Sequence, residues 1–193
     1  MTKNSNEPVS GKVFEKLSSG EFDSSAGVFE GCRFTRCNFA QADFSALAFR
    51  ECAFEECDLS MAKLAGTSLH EARFSDCKLL GVQFSECRKL LLQMSFERCM
   101  MKLSLFSGLD LKNTRFSNCD LQEADFTGAN LSGAVFDGCD LRLAIFFHTN
   151  LEKADLRTAV NFSISPESNR LRKARFSLDG LPGLLDAYGI EIE

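Results

Sequence analysis

From Phe96 to Leu156 every fifth residue is apolar, running Phe96, Met101, Phe106, Leu111, Phe116 and onward to Leu151 and Leu156 without a miss. The residue two before each is mostly small, as Cys99, Ser104, Thr114, Ala124 and Ala134 are. The remaining positions are polar, as in Ala124-Asp125-Phe126-Thr127-Gly128. A period of five matches neither the 3.6-residue turn of a helix nor the two-residue alternation of a strand. It marks a repeat architecture, in which each unit buries its apolar side chains against its neighbours.

A pentapeptide that makes one straight wall and then turns a corner satisfies the pattern. The central Phe or Leu and the small residue two before it point inward, and the other three positions face water. If four such walls close a coil, it is square and twenty residues long; the periodicity itself shows only the repeat and its two inward positions. Coils then stack at the strand spacing of about 4.8 Å, with backbone groups paired from coil to coil. An earlier block carries the same pattern with centres at five-residue steps from Phe29 to Phe84. Between the blocks, Phe84 to Phe96 is twelve residues rather than ten, and Lys89 falls where an inward residue is due. This predicts a bulge, short loop or bend within Ser85–Ser95, with Leu90-Leu91-Leu92 partly buried. A tolerated insertion at a corner and a kink that sets the shape of the rod both remain open.

The motif A-(D/N)-L-x-x resembles that of the pentapeptide repeat proteins. The resemblance covers Gly27 to Phe176 and implies an all-β solenoid, a right-handed quadrilateral β-helix. The chain then divides into an N-terminal tail and irregular cap (1–26), the β-helix (27–177, with its register break at 85–95) and a C-terminal element (178–193). In that element Pro182 suits a first helical turn, Gly189 a C-terminal stop, and Ile190-Glu191-Ile192-Glu193 alternates like a strand. The short helix is expected to cap the last coil. Leu181, Leu184, Leu185, Tyr188, Ile190 and Ile192 exceed what a cap can bury, so they are expected to join two chains as a homodimer.

Nineteen Phe with no Trp and one Tyr is a core bias, since fourteen of the Phe occupy central positions. All nine cysteines fall in or in phase with the small inward slot. They recur at twenty-residue intervals as Cys32/Cys52, Cys37/Cys57/Cys77 and Cys99/Cys119/Cys139, so each set should stack on one face. Such thiols read as small buried hydrophobes, not as disulfides or zinc ligands. His70 and His148 stand at outward positions far apart in the chain, and no glycine-rich phosphate loop appears. Asn161-Phe162-Ser163 matches a glycosylation sequon, which carries little weight in a cytosolic chain. Catalytic residues, metal ligands and cofactors are therefore not expected, and the protein is read as a non-enzyme. No apolar run reaches membrane-spanning length, and the polar Met1–Ser10 lacks the apolar core of a signal peptide, so the expected location is cytoplasmic.

The formal net charge of −5 opposes binding to nucleic acid by phosphate neutralisation. Within the repeat family, the tail LPGLLDAYGIEIE, the stretch SFERC and the segment NRLRKARFSL resemble the gyrase-interacting members. These are the albicidin-resistance and microcin-immunity proteins and the quinolone-resistance proteins of the Qnr and MfpA type. The resemblance implies a bacterial DNA mimic that binds DNA gyrase, a type II topoisomerase, and protects it from an antibiotic or peptide toxin. The chain lacks the two long projecting loops of the Qnr type. Asp120, Asp125, Asp140 and Asp155 are candidates for the acidic mimicry surface. The alternative is a general protein-interaction scaffold with no topoisomerase role.

Overall fold

The computed structural model describes residues 7–190. The chain winds as a parallel β-solenoid with one wall per pentapeptide. Strands are two to four residues long, because each wall ends at a corner. Face A holds β1 (Val9–Ser10), β3 (Val28–Glu30), β5 (Ala48–Arg50) and β7 (Ser68–His70). Face B holds the longer sheet: β2 (Val13–Glu15), β4 (Arg33–Thr35), β6 (Ala53–Glu55), β8 (Ala72–Ser75), β9 (Met94–Glu97), β10 (Arg115–Ser117) and β11 (Val135–Asp137). Faces C and D are joined by single parallel bridges, such as Asp120↔Asp140 on C and Asp125↔Ile145 on D.

Corners are made by the residue two after each centre, which adopts the left-handed conformation. Gln41, Met61, Leu103, Glu123 and Leu143 have φ between 57° and 60°. That region costs a non-glycine residue about 1 kcal/mol. The turn directs the same residue's N–H at the next coil, as Gln41 N donates to Ser60 O at 2.8 Å and Met61 N to Leu80 O at 2.9 Å. Each corner is thus tied down by a bond that only the stacked coil supplies.

Every predicted centre from Phe29 to Leu156 is buried. On face B, Phe14, Phe34, Phe54, Phe74, Phe96, Phe116 and Phe136 stack with ring centroids 4.8–5.3 Å apart. Phe84, Phe106, Phe126 and Phe146 stack likewise on face D. Across the interior the two columns meet edge to face at 5.5–6.4 Å, an arrangement aromatic quadrupoles favour.

The two extra residues are absorbed on face A alone. Arg73 pairs with Ser95, a step of twenty-two, while Ser95 pairs with Arg115 at the ordinary twenty. Face A loses its strand after β7, and a loop replaces it. Arg88 N donates to Thr67 O at 2.8 Å and Gln93 N to Leu69 O at 3.0 Å, while Lys89 Nζ donates to Gly108 O at 3.1 Å. Only Leu92 packs against the core. Leu90 and Leu91 are 79% and 67% exposed, so the partial burial expected of the leucine run falls on Leu92 alone. One inward slot is vacant at this wall, and one leucine fills it.

The solenoid begins earlier than the motif does. β1 and β2 already pair with β3 and β4, and Phe22 packs its ring against Phe29, Phe39 and Phe44. Residues 9–26 therefore contribute an irregular first coil, and Val9–Ser10 is strand rather than tail. At the other end, Phe162 and Ile164 point inward from the irregular 161–169 stretch. A helical turn (α1, Pro182–Leu185) continues as a 3-10 turn over Asp186–Tyr188 and stops at Gly189, whose φ is 60°. It closes the last coil: Ile164 N donates to Gly183 O at 2.8 Å, and Leu184 packs against the core. A side chain at Gly183 would collide with the Phe162 carbonyl and ring. The expectations for Met1–Asn6, and for Glu191, Ile192 and Glu193 of the terminal strand, lie outside the described residues.

Candidate interaction surface

The inward cysteines are packing groups. Cys37, Cys57, Cys77, Cys99, Cys119 and Cys139 form one continuous column on face C, because the twenty-two-residue step carries Cys77 onto Cys99. Each gives its Sγ–H a carbonyl, as Cys57 does to Phe34 O and Cys77 to Phe54 O, both at 3.3 Å. All nine are free and buried. Burial pushes the Cys52 thiol up to about 11 and the Cys87 thiol up to about 12. Among the described residues, no three His, Cys, Asp or Glu side chains surround a common point. His70 lies in β7 on face A and His148 at a corner of face D, its ring tilted 51° to that of Phe147 with centroids 4.0 Å apart.

The acidic residues that precede each centre do local structural work. Asp43, Asp58, Asp110, Asp120, Asp125, Asp140 and Asp155 each accept a bond from the backbone N–H two residues on, at 2.7–3.3 Å. Asn38, Asn130 and Asn150 do the same. This local Asx turn leads the chain from the wall into its corner. The Asp or Asn of the repeat motif is explained by that bond before any partner is considered.

The four candidate mimicry residues lie on three faces. Asp120 and Asp140 are bridge partners on face C, Asp125 is on face D, and Asp155 bridges Val135 and Arg175 on face B. The structure brings the first two together and not the others. Asp120 faces Lys102 Nζ at 3.3 Å. Burial works to raise the Asp140 carboxyl, but bonds from Asn161 and the Arg142 backbone outweigh it and hold the group low. The Arg157 guanidinium does the same for Asp155, which also meets Arg175 at 3.2 Å. Of the proposed dimer residues, Leu184 is half-buried against the last coil, while Leu181, Leu185, Tyr188 and Ile190 are exposed. Tyr188 Oη donates to Glu167 at 3.0 Å.

Sequence periodicity did not reveal that the exterior is two-sided. Of the ion pairs among the described residues, all but Lys102–Asp120 and Arg142–Asp140 lie on faces A and B. Arg36, for example, spans three coils between Glu15 at 3.6 Å and Glu56 at 3.2 Å, and Arg98 joins Asp76 at 2.8 Å and Glu97. Faces C and D and the corner between them carry instead the exposed Met61, Met100, Leu103, Leu143, Ile145 and Phe147. The signal was present as bulky residues at outward positions of these two walls, beside which Leu90 and Leu91 of the face A loop and Val13 of face B are also exposed.

These features define a pentapeptide-built β-solenoid whose chemistry lies on its outside. The chain belongs to the pentapeptide repeat proteins. A profile of the pentapeptide repeat region matches 28–90, and a profile of eight pentapeptide repeats matches 101–138 and 124–160. No curated protein sequence matches the chain. Among solved structures it is similar to trypsin-treated QnrB1, a plasmid-mediated fluoroquinolone resistance protein, with TM-score 0.48 and 20% identity over 96% of this chain and 97% of that one. It is also similar to HetL, involved in heterocyst differentiation regulation in Nostoc, with TM-score 0.41 and 20% identity over 89% and 88% of the two chains. A pentapeptide repeat protein of the Arabidopsis thaliana thylakoid lumen gives TM-score 0.34 and 26% identity over 50% and 59%.

Proposed function

We propose that the protein is a cytoplasmic DNA mimic that binds the DNA-gating region of bacterial gyrase as a homodimer and lessens the damage done by a gyrase poison. It acts by binding rather than by catalysis. The observation that carries the reading is the rod itself. Four short walls set its width near that of a duplex. On face C two carboxylates stand in line along the axis, Asp120 above Asp140, at the coil spacing of about 4.8 Å. A basic DNA-binding saddle attracts such a surface over long range. The choice of gyrase rests on the sequence resemblance of the C-terminal tail and its neighbours.

The homodimer supplies length. The C-terminal cap leaves Leu181, Leu185, Tyr188 and Ile190 exposed at the end of the rod. A two-fold partner offering the same patch covers both. The test has two parts. Sedimentation at micromolar concentration is expected to show a dimer, and removal of Gly183–Glu193 a monomer or an aggregate. A gyrase supercoiling assay with a poison is expected to retain more activity when the protein is present. A monomer, or a poisoned reaction indifferent to the protein, leaves only the reading of a general interaction scaffold.

A further inference from the structure

The exposed apolar residues of faces C and D gather most densely in one coil. In the coil spanning 130–149, the outward residues Leu143, Ile145 and Phe147 are 71%, 50% and 48% exposed. They occupy the C–D corner and face D, side by side. The coil before it places Glu123 at the same corner and Asp125 on the same wall, since Glu123 N donates to Arg142 O and Asp125 bridges Ile145. Neither carboxylate takes part in an ion pair among the described residues. One coil beyond Glu123 the same corner holds Leu103, 56% exposed. Most of the ion pairs among the described residues lie on faces A and B, as Glu152 with Arg170 and Arg172.

We propose that this corner is the docking surface for the partner, and that the partner presents an apolar cleft rimmed by basic side chains. The proposal rests on the gyrase reading for the partner's name, and on charge complementarity for its chemistry. Three bulky apolar groups in one coil cost solvation unless covered, and a cluster of this kind is what supplies most of the energy at an interface. The unpaired Glu123 and Asp125 favour a cationic rim and contribute mainly to approach and orientation. A pure phosphate mimic has no use for a leucine, an isoleucine and a phenylalanine at its contact. The surface therefore combines the charge of a duplex with an anchor that no duplex carries, which lets the protein hold a site that DNA also seeks.

The test compares gyrase binding of the full-length protein with two double variants, Leu143→Ser with Phe147→Ser, and Arg33→Glu with Arg73→Glu on face B. All four side chains point outward, and circular dichroism melts verify that both variants keep the fold. The apolar pair is expected to weaken binding by about tenfold or more, and to leave its salt dependence unchanged. The face B pair is expected to change affinity by less than about threefold, in line with exposed ion pairs. If the wild type binds gyrase and the apolar variant binds equally well, the docking surface is wrong while the gyrase reading stands. Loss confined to the face B variant overturns it as well. A wild type that does not bind gyrase overturns the reading and, with it, this surface.

Discussion

At the scale of the residue, the aspartate or asparagine before each centre is a corner device before it is a charge. Asp125 Oδ1 accepts Thr127 N at 2.7 Å. Asparagine keeps that acceptor and alanine does not. Asp125→Asn is expected to leave stability nearly unchanged, and Asp125→Ala to cost about 1 kcal/mol in chemical denaturation. Equal losses in both would contradict the Asx assignment. The thiols give a pH dependence with a definite sign. Burial raises Cys52 to about 11 and Cys87 to about 12, against an ordinary value of 9.0. The unfolded chain releases these protons near pH 9 while the folded chain keeps them. Their contribution is thus complete below pH 9 and declines as pH rises toward 12. Melting temperature should fall across that window, and less steeply when both cysteines are replaced by alanine. The inward positions were legible in the sequence because burial leaves a period. The Asx turn was not, because periodicity assigns every polar residue to the solvent and cannot see a bond two residues away.

At the scale of the element, the register break tests whether the columns are the true unit. Face A carries all of the irregularity, while the phenylalanine stack of face B passes through it, from Phe74 to Phe96 at 5.3 Å. Deleting Lys89 and Leu90 leaves Cys87-Arg88-Leu91-Leu92-Gln93, a regular pentapeptide with Cys87 in the small slot and Leu91 at the centre. This variant is expected to fold with an uninterrupted face A and to melt no lower than the wild type. A large loss of stability would mean that the loop supports the coils it interrupts. The length of the insertion was legible from the phase slip between Phe84 and Phe96. The exposure of Leu90 and Leu91 was not, because an apolar run reads as core and only the wall's single vacancy decides which leucine enters. Counting by twenties likewise stops at the break, which hid the union of two cysteine sets into one column of six. Pro182 and Gly189 announced the terminal turn correctly, since both act through their own backbone conformation.

At the scale of the whole molecule, a closed rod has little freedom to make function from anything but its exterior. Most of its ion pairs lie on faces A and B, while acid and exposed apolar groups lie together at the corner of faces C and D. Periodicity showed which positions face outward, but not how the outward residues of four walls combine into sides. That requires the coil to be closed in space, and it explains why four aspartates equivalent in the repeat lie on three faces. Mimicry of a duplex demands competition with a duplex. The most direct measurement is displacement of a fluorescent DNA duplex from gyrase by the purified protein, followed by anisotropy at two salt concentrations. The account predicts full displacement at micromolar protein, with higher concentrations needed as salt rises. Binding of gyrase without any displacement of the duplex, or no binding at tens of micromolar, would contradict it.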